Sequence, residues 1–195
     1  MRTSILIPPP LPRSPWWPSV TTPSRAPHRQ TLARSSPTFR LSSPMTSEQI
    51  LLVRTSWPVI AERADALTSR FYEHLFVIDD TAARLFTGVD MAAQRMKLAQ
   101  TLAVVVKALD DVDRLLPAVA ALGKRHAQYG VEDRHFDSVG EALLQAFSDA
   151  LGGAFTPELR AAWTAAYALI ASVMRRALIR GSPQITALHS TLAPR

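Results

Sequence analysis

The fold is decided by the stretch LLPAVAALGKRH, residues 115–126, which ends in His126. Counted back at helical spacing, the apolar residues on the face of this histidine are Leu122, Val119 and Leu115. The stretch therefore predicts an amphipathic helix that carries an imidazole on its apolar side. Two cations immediately precede the imidazole.

A histidine in this setting has two interpretations. On an apolar helix face it is most often a packed, hydrogen-bonded core residue. A neutral imidazole there is also a good axial ligand for a haem iron, and the two preceding cations could meet an anionic edge of the same group. The rest of the chain has to decide between these interpretations.

Charge divides the chain of 195 residues into two unequal parts. The net charge is +6, and residues 1–44 hold six arginines and no acid. The remaining residues hold 16 basic and 16 acidic side chains, so they are neutral. Because the body of the chain is neutral, we expect no nucleic-acid partner.

The chain contains no cysteine, which excludes disulfides, iron–sulfur clusters and thiolate ligation of a metal. Apolar runs are all much shorter than the roughly 20 residues that span a bilayer. The apolar start of the chain is interrupted at Pro8, unlike a signal peptide. We therefore expect a cytoplasmic protein without a membrane span.

Proline marks the first 44 residues, which hold ten of the 15 prolines. This Pro/Arg/Ser-rich extension is predicted to be disordered. It is a candidate transit peptide or docking segment, but our hypothesis is that the native product begins at Met45. Thr46 and Gln49 fit a capping box that opens the first helix directly afterwards. One domain is expected over residues 45–182, and a flexible tail over 183–195.

The periodicity of the body predicts an all-α protein. Gly88, Gly130 and the Gly152-Gly153 pair are expected to separate helices, and Pro58 to mark a kink or junction in the first one. The predicted helices are 47–61, 62–77, 80–86, 91–109, 113–128, 133–151 and 157–181.

Two polar residues interrupt predicted apolar faces. Tyr72 shares its face with Leu75 and Phe76, and Gln94 heads a stripe that continues through Leu98, Thr101 and Val105. A tyrosine at such a place is normally a core residue with its hydroxyl at the rim. Gln94 either lies at the solvent end of its helix or is buried and needs a polar partner, which a ligand in a pocket would supply.

Taken together, these positions resemble the globin family, in particular single-domain bacterial haemoglobins similar to the haem domain of flavohaemoglobins. The resemblance covers residues 46–181 and rests on the order and spacing of its motifs, with 14 residues from Tyr72 to Phe86 and 32 from Gln94 to His126. It implies a three-over-three helical sandwich around haem b. The matching motifs are Phe71-Tyr72, Leu85-Phe86, Gln94 with Lys97-Leu98, Lys124-Arg125-His126, Gly130-Val131, Val139 to Leu144, and Ala162-Trp163 with Tyr167.

The resemblance also implies a role for each matching residue. His126 would be the proximal iron ligand, with its second ring nitrogen bonded to a backbone carbonyl such as that of Leu122. Phe86 would pack on the porphyrin face, while Tyr72 and Gln94 would stabilise bound oxygen on the distal side. The remaining expected haem contacts are Leu98 as an apolar gate, Lys97 and Arg125 near the propionates, and Leu122, Val131, Phe136 and Val139 as wall residues.

The chain departs from this branch of the family on the proximal side. Phe136 stands where the branch has a tyrosine, and residues 163–178 contain no acid to match its glutamate. Such a proximal histidine is less anionic, which disfavours peroxidase-like chemistry. No glycine-rich nucleotide-binding turn and no room for a flavin reductase domain are evident either.

We therefore expect an oxygen-binding globin for storage, delivery or buffering, as a monomer or homodimer that also accepts nitric oxide and carbon monoxide. The alternatives are a nitric oxide dioxygenase served by a separate flavin reductase, and a sensor module with or without haem. A distal tyrosine and glutamine are compatible with both oxygen storage and the enzymatic reaction.

Overall fold

The computed structural model describes residues 45–181, and every regular element within that range is helical. The predictions for residues 1–44 and 183–195 lie outside the described residues. None of the described helices combines the length and apolar character needed to cross a bilayer. The elements are α1 Ser47–Ala61, α2 Ala64–Ile78, α3 Asp80–Arg84, α4 Met91–Lys107, α5 Val112–Gln128, α6 Asp133–Leu151, a 3-10 turn Gly152–Ala154, and α7 Pro157–Gly181.

The helices pack as the predicted three-over-three sandwich. One layer consists of α2, α6 and α7, in which α6 contacts both neighbours. The other consists of α1, α4 and α5, and the pairs α1–α7, α2–α4 and α5–α7 join the two layers. Helix α7 therefore contacts both ends of the opposite layer, which makes it the element against which α5 is positioned.

Two apolar clusters fill the interior. The larger lies among α1, α2, α4, α6 and α7 and includes the fully buried Phe147, whose ring centroid is 4.2 Å from that of Trp163. The Trp163 indole donates a hydrogen bond of 3.1 Å to the Ser56 hydroxyl, which anchors α7 on α1. The smaller cluster joins α5, α6 and α7 and includes Leu115, Val119, Phe136, Ala171, Val173 and Met174.

The helix ends confirm the predicted local signals and correct several bounds. Thr46 and Gln49 form the expected reciprocal capping box at the start of α1, and Pro58 lies within that helix. Helix α3 ends at Arg84 rather than at residue 86, because Leu85 and Phe86 donate to carbonyls three residues back. Smaller corrections apply to α2 (64–78, not 62–77), α4 (ending at 107, not 109) and α5 (beginning at 112, not 113).

A polar network joins the start of α3 to α6. The Asp79 carboxylate caps α3 by accepting from the backbone of Thr81 and Ala82, and it also accepts from the Ser138 hydroxyl at 2.8 Å. The buried His135 ring accepts the Glu132 backbone N–H at Nδ1, so its Nε2 is the donor to the Thr81 hydroxyl. That hydroxyl in turn donates to Asp79. The network fixes the corner that leads from α2 into α3.

These hydrogen bonds hold the pKa of Asp79 well below its usual range, with the Thr81 hydroxyl as the largest cause. We expect Asp79→Ala to lower the free energy of unfolding at pH 7 by about 1–3 kcal/mol, because it removes the helix cap and the acceptor for two hydroxyls. Since the folded-state pKa is lowered, this contribution is present above the unfolded-state pKa and declines as pH falls below about 4.

Urea unfolding of wild type and variant between pH 7 and pH 2.5 measures this effect. Asp80→Ala is the matched control, because the exposed Asp80 carboxylate pairs with Arg84 at the surface and its loss should cost about 0.5 kcal/mol at most. A stability difference between wild type and Asp79→Ala that stays constant down to the lowest pH would contradict the assignment.

Candidate functional site

Three aromatic rings meet where α2 approaches the end of α3. The Tyr72 ring centroid lies 5.8 Å from that of Phe76 and 5.3 Å from that of Phe86, and the two phenylalanine rings are 5.6 Å apart. Tyr72 is buried and also packs edge-on against Phe71. The turn after α3 thus brings Phe86 to Tyr72, as two residues of one site.

The Tyr72 hydroxyl faces α4. Burial raises the pKa of Tyr72 to about 12, while a hydrogen bond with the Gln94 side chain and the charge of Arg95 oppose this shift. The Gln94 Oε1 atom is buried without a hydrogen-bond partner among the described residues. The amide nitrogen is therefore the donor in the pair, and Tyr72, protonated at neutral pH, keeps its own proton for another acceptor.

The stripe predicted on α4 continues from Gln94 into the core. Leu98, one turn further on, packs against the larger apolar cluster, and Val105 packs against both clusters. The Thr101 hydroxyl donates to the Lys97 carbonyl at 2.7 Å. Gln94 is thus a partly buried residue with an unsatisfied acceptor, and the interpretation as a simple solvent-exposed helix end is wrong.

His126 lies near the C-terminal end of α5. Its Nδ1 donates to the Leu122 carbonyl at 2.9 Å, which is the hydrogen bond that the sequence analysis expected. Burial lowers the pKa of His126, and the bond to Leu122 only partly opposes this shift. The ring is therefore neutral at pH 7, and within residues 45–181 its Nε2 makes no hydrogen bond.

A tight C-terminal cap fixes the end of α5. The Val131 N–H donates to the His126 carbonyl at 3.1 Å, and the Gly130 N–H donates to the Ala127 carbonyl at 3.2 Å. This pairing is a Schellman motif, which requires the left-handed conformation that Gly130 adopts at φ +79°. Leu85 lies beside Gly130, so the turn that carries Phe86 adjoins the cap that follows His126.

The predicted wall residues divide between the two clusters. Leu122, Val131 and Phe136 belong to the smaller cluster, and Val139 packs against the larger one. Arg125 is half-buried and has no ion pair with any described residue. The contacts thus join Tyr72 to Phe86 and Gln94, while Leu122 and Val131 pack against the cluster that contains Phe136.

The proximal departure at Phe136 has a structural counterpart in α7. The Tyr167 hydroxyl donates to the Phe136 carbonyl, and the Arg175 guanidinium lies 5.5 Å from the centre of the Phe136 ring. Arg175 pairs with Asp133 and Asp137. Tyr167 therefore donates to the backbone of α6, and its hydroxyl does not serve His126.

Arg95 is a residue of this site that the sequence patterns did not reveal. The Arg95 guanidinium lies beside Tyr72, 3.8 Å from Asp65, and its Nε is buried without a hydrogen bond among the described residues. Its position next to Gln94 was the available signal. His74 bonds Asp149 on α6 at 2.8 Å, so it does not share the direction of Tyr72.

Comparisons with known proteins agree with this architecture. A family model described as Globin matches residues 69–174. Flavohemoproteins of Bacillus subtilis and Bordetella parapertussis are 30% and 33% identical over 65% and 67% of the chain, which correspond to 32% and 33% of those proteins. The chain thus spans about a third of the length of these relatives.

Solved structures give the same fold. A bacterial globin from Campylobacter jejuni matches with a TM-score of 0.62 at 23% identity, over 69% of this chain and 97% of that one. An engineered carbene transferase from Rhodothermus marinus matches with a TM-score of 0.63 at 26% identity, over 75% and 99%. The chain belongs to the globin family and is related to the globin domains of flavohaemoproteins.

Proposed function

We propose that this protein is a haem b globin that binds dioxygen reversibly, with His126 as the proximal ligand. The observation that carries the proposal is the state of His126. Its Nδ1 is committed to the Leu122 carbonyl, the ring is neutral, and Nε2 has no partner within residues 45–181. Metal-bound histidines have this arrangement, in which the second nitrogen is fixed by a hydrogen bond.

The residues present fit a haem group. A single imidazole nitrogen suits a metal whose other ligands come from a macrocycle. The half-buried Arg125 cation adjoins His126 and would meet a carboxylate such as a propionate. The buried Gln94 Oε1, which has no hydrogen-bond partner among the described residues, would lie on the side of the site that a small polar ligand occupies.

Haem iron supplies the coordination position at which a diatomic gas binds reversibly. The protein's contribution there is the Tyr72 hydroxyl, which is protonated and buried and so donates a hydrogen bond in a site of low polarity. Gln94 orients that hydroxyl from α4. One such hydrogen bond strengthens ligand binding by about 1–3 kcal/mol, which is roughly 5- to 150-fold in affinity.

The proximal side favours ligand binding over peroxidase-like chemistry. The acceptor of the His126 Nδ1 proton is a neutral carbonyl, not a carboxylate. Phe136, which stands where this branch of the family has a tyrosine, packs its ring against the Arg175 guanidinium. A neutral acceptor leaves the imidazole with little anionic character, so storage, delivery or buffering of oxygen in the cytoplasm is the first role that we propose.

A second candidate function is nitric oxide dioxygenation with electrons from a separate flavin reductase. It is supported by the relation to flavohaemoproteins and by the Rhodothermus marinus protein, which is named as a candidate nitric oxide dioxygenase. The distal pair of Tyr72 and Gln94 suits both functions, because each begins with the stabilisation of bound oxygen.

Replacement of His126 tests the cofactor assignment. We expect wild type to take up hemin and show a Soret band, and His126→Ala to hold haem far more weakly. The loss of haem affinity should exceed roughly 10- to 100-fold, which is the loss of metal affinity when only a hydrogen-bond partner of a metal ligand is removed. Haem transfer to an acceptor protein measures it, with His74→Ala as the matched control because His74 bonds Asp149 outside the site. Equal haem retention by wild type and His126→Ala would refute the assignment.

Replacement of Tyr72 tests the distal hydrogen bond. We expect Tyr72→Phe to raise the oxygen dissociation rate by about 10- to 100-fold, because the donor is lost while the ring contacts remain. Stopped-flow displacement of oxygen by carbon monoxide measures the rate. Tyr167→Phe is the matched control, since its hydroxyl bonds the Phe136 carbonyl on the other side of the site. An unchanged rate in Tyr72→Phe would remove this residue from oxygen stabilisation.

Nitric oxide distinguishes the two candidate functions. If the protein is an oxygen store, the oxy form should react with nitric oxide once, and sustained consumption should not follow when NADH and a flavin reductase are added. The dioxygenase should consume nitric oxide over many turnovers and release one nitrate for each. A nitric oxide electrode and a nitrate assay measure the two quantities, and sustained turnover would replace the first role with the second.

A further inference from the structure

Gly123 lies at a close approach of α5 to α7. It lies one residue after Leu122 and three before His126, and it is buried. A methyl group at this position would lie 2.7 Å from the Met174 carbonyl oxygen and 2.8 Å from the Met174 Cα. Ordinary contacts between carbon atoms are about 3.5–4.0 Å. Glycine is therefore required here by a close approach of two backbones.

The neighbour at this contact cannot yield by changing a rotamer. The atoms concerned belong to the backbone of α7, and the Ala177 Cβ, 3.0 Å from the methyl position, belongs to a side chain with no rotamer freedom. Helix α7 is also anchored elsewhere, because Trp163 is buried against Phe147 and bonded to Ser56. Any added atom would therefore displace α5 by roughly 1 Å rather than α7.

The His126 ring is tied to the same turn of α5. Its Nδ1 bonds the Leu122 carbonyl, and the Schellman cap holds its own carbonyl to the Val131 N–H. A displacement of the turn at Gly123 therefore moves the imidazole with it. The α7 backbone therefore limits the position of the α5 turn that carries His126.

We propose that Gly123 is a positioning residue that sets the depth of His126 through direct contact between the α5 and α7 backbones. This inference rests on the proposed function, because the depth of the imidazole matters only if it is an iron ligand. It adds that the strength of the bond to iron would be controlled by the contact of α5 with α7, through a residue that is not itself an iron ligand.

Gly123→Ala tests the proposal, with Gly153→Ala as the matched control. Gly153→Ala makes the same chemical change at a residue that has open surroundings and no positive φ. In the ferrous protein we expect Gly123→Ala to shift the iron–histidine stretching frequency in the resonance Raman spectrum and to accelerate haem loss by about 10- to 100-fold. In the haem-free protein, the amides of α5 should exchange with solvent about tenfold faster than in wild type.

The outcomes separate this inference from the proposed function. If wild type takes up no hemin, the proposed function fails and the inference fails with it. If wild type binds haem through His126 but Gly123→Ala keeps the wild-type frequency and haem-loss rate, the inference alone is overturned. Should Gly123→Ala not fold, Ala177→Val decides the matter, because its branched side chain has one preferred rotamer in a helix and adds bulk to the same contact from the side of α7. A shifted frequency in that variant supports the proposal, and an unchanged one overturns it.

Discussion

The hydrogen bond from His126 Nδ1 to the Leu122 carbonyl is the interaction on which the rest of the site depends. Burial alone would leave an imidazole with two polar atoms to satisfy and no defined tautomer. The helix satisfies one of these two atoms, because the backbone carbonyl one turn back lies within hydrogen-bonding distance of the ring. One nitrogen becomes the fixed donor, and the lone pair of the other is left for a ligand. The tautomer is thus a consequence of helical geometry together with a low pKa.

The remaining parts of the fold serve to bring other groups to this nitrogen. The cap formed by Gly130 ends α5 directly after the histidine, and Leu85 packs beside it. Leu85 and Phe86 follow α3, which the Asp79 carboxylate and the His135 ring hold against α6. The ends of α3 and α5, which are distant in sequence, therefore lie side by side. Their contact positions Phe86 against the aromatic ring of Tyr72. The polar network fixes the corner in a way that apolar packing alone would not, because its hydrogen bonds are directional.

The features that could be predicted from the sequence are those that depend on a few neighbouring residues. The capping box at Thr46 and the helix end at Gly130 arise within one or two helical turns. The bond between His126 and Leu122 is equally local, but the family resemblance implied it. Family resemblance supplied the pairing of Tyr72 with Gln94, which periodicity left open. The close approach at Gly123 was not predicted, because it depends on the α7 backbone some 50 residues later. The same holds for His135, whose partner on α3 is 54 positions away.

The two sides of the proposed haem site have different tasks. On the proximal side, Tyr167 fills the space that Gly140 leaves open and donates its proton to the Phe136 carbonyl, while Arg175 covers the ring of Phe136. Within residues 45–181, these contacts add neither a carboxylate nor a second acceptor to the imidazole, so they do not make it more anionic. A ligand that gains negative charge on binding must then be stabilised from the distal side, where the buried Tyr72 hydroxyl keeps its proton. Phenylalanine at 136 and tyrosine at 72 are therefore consistent with one another under the proposed function: the first would limit how strongly the proximal ligand activates oxygen, and the second would govern how long oxygen stays bound.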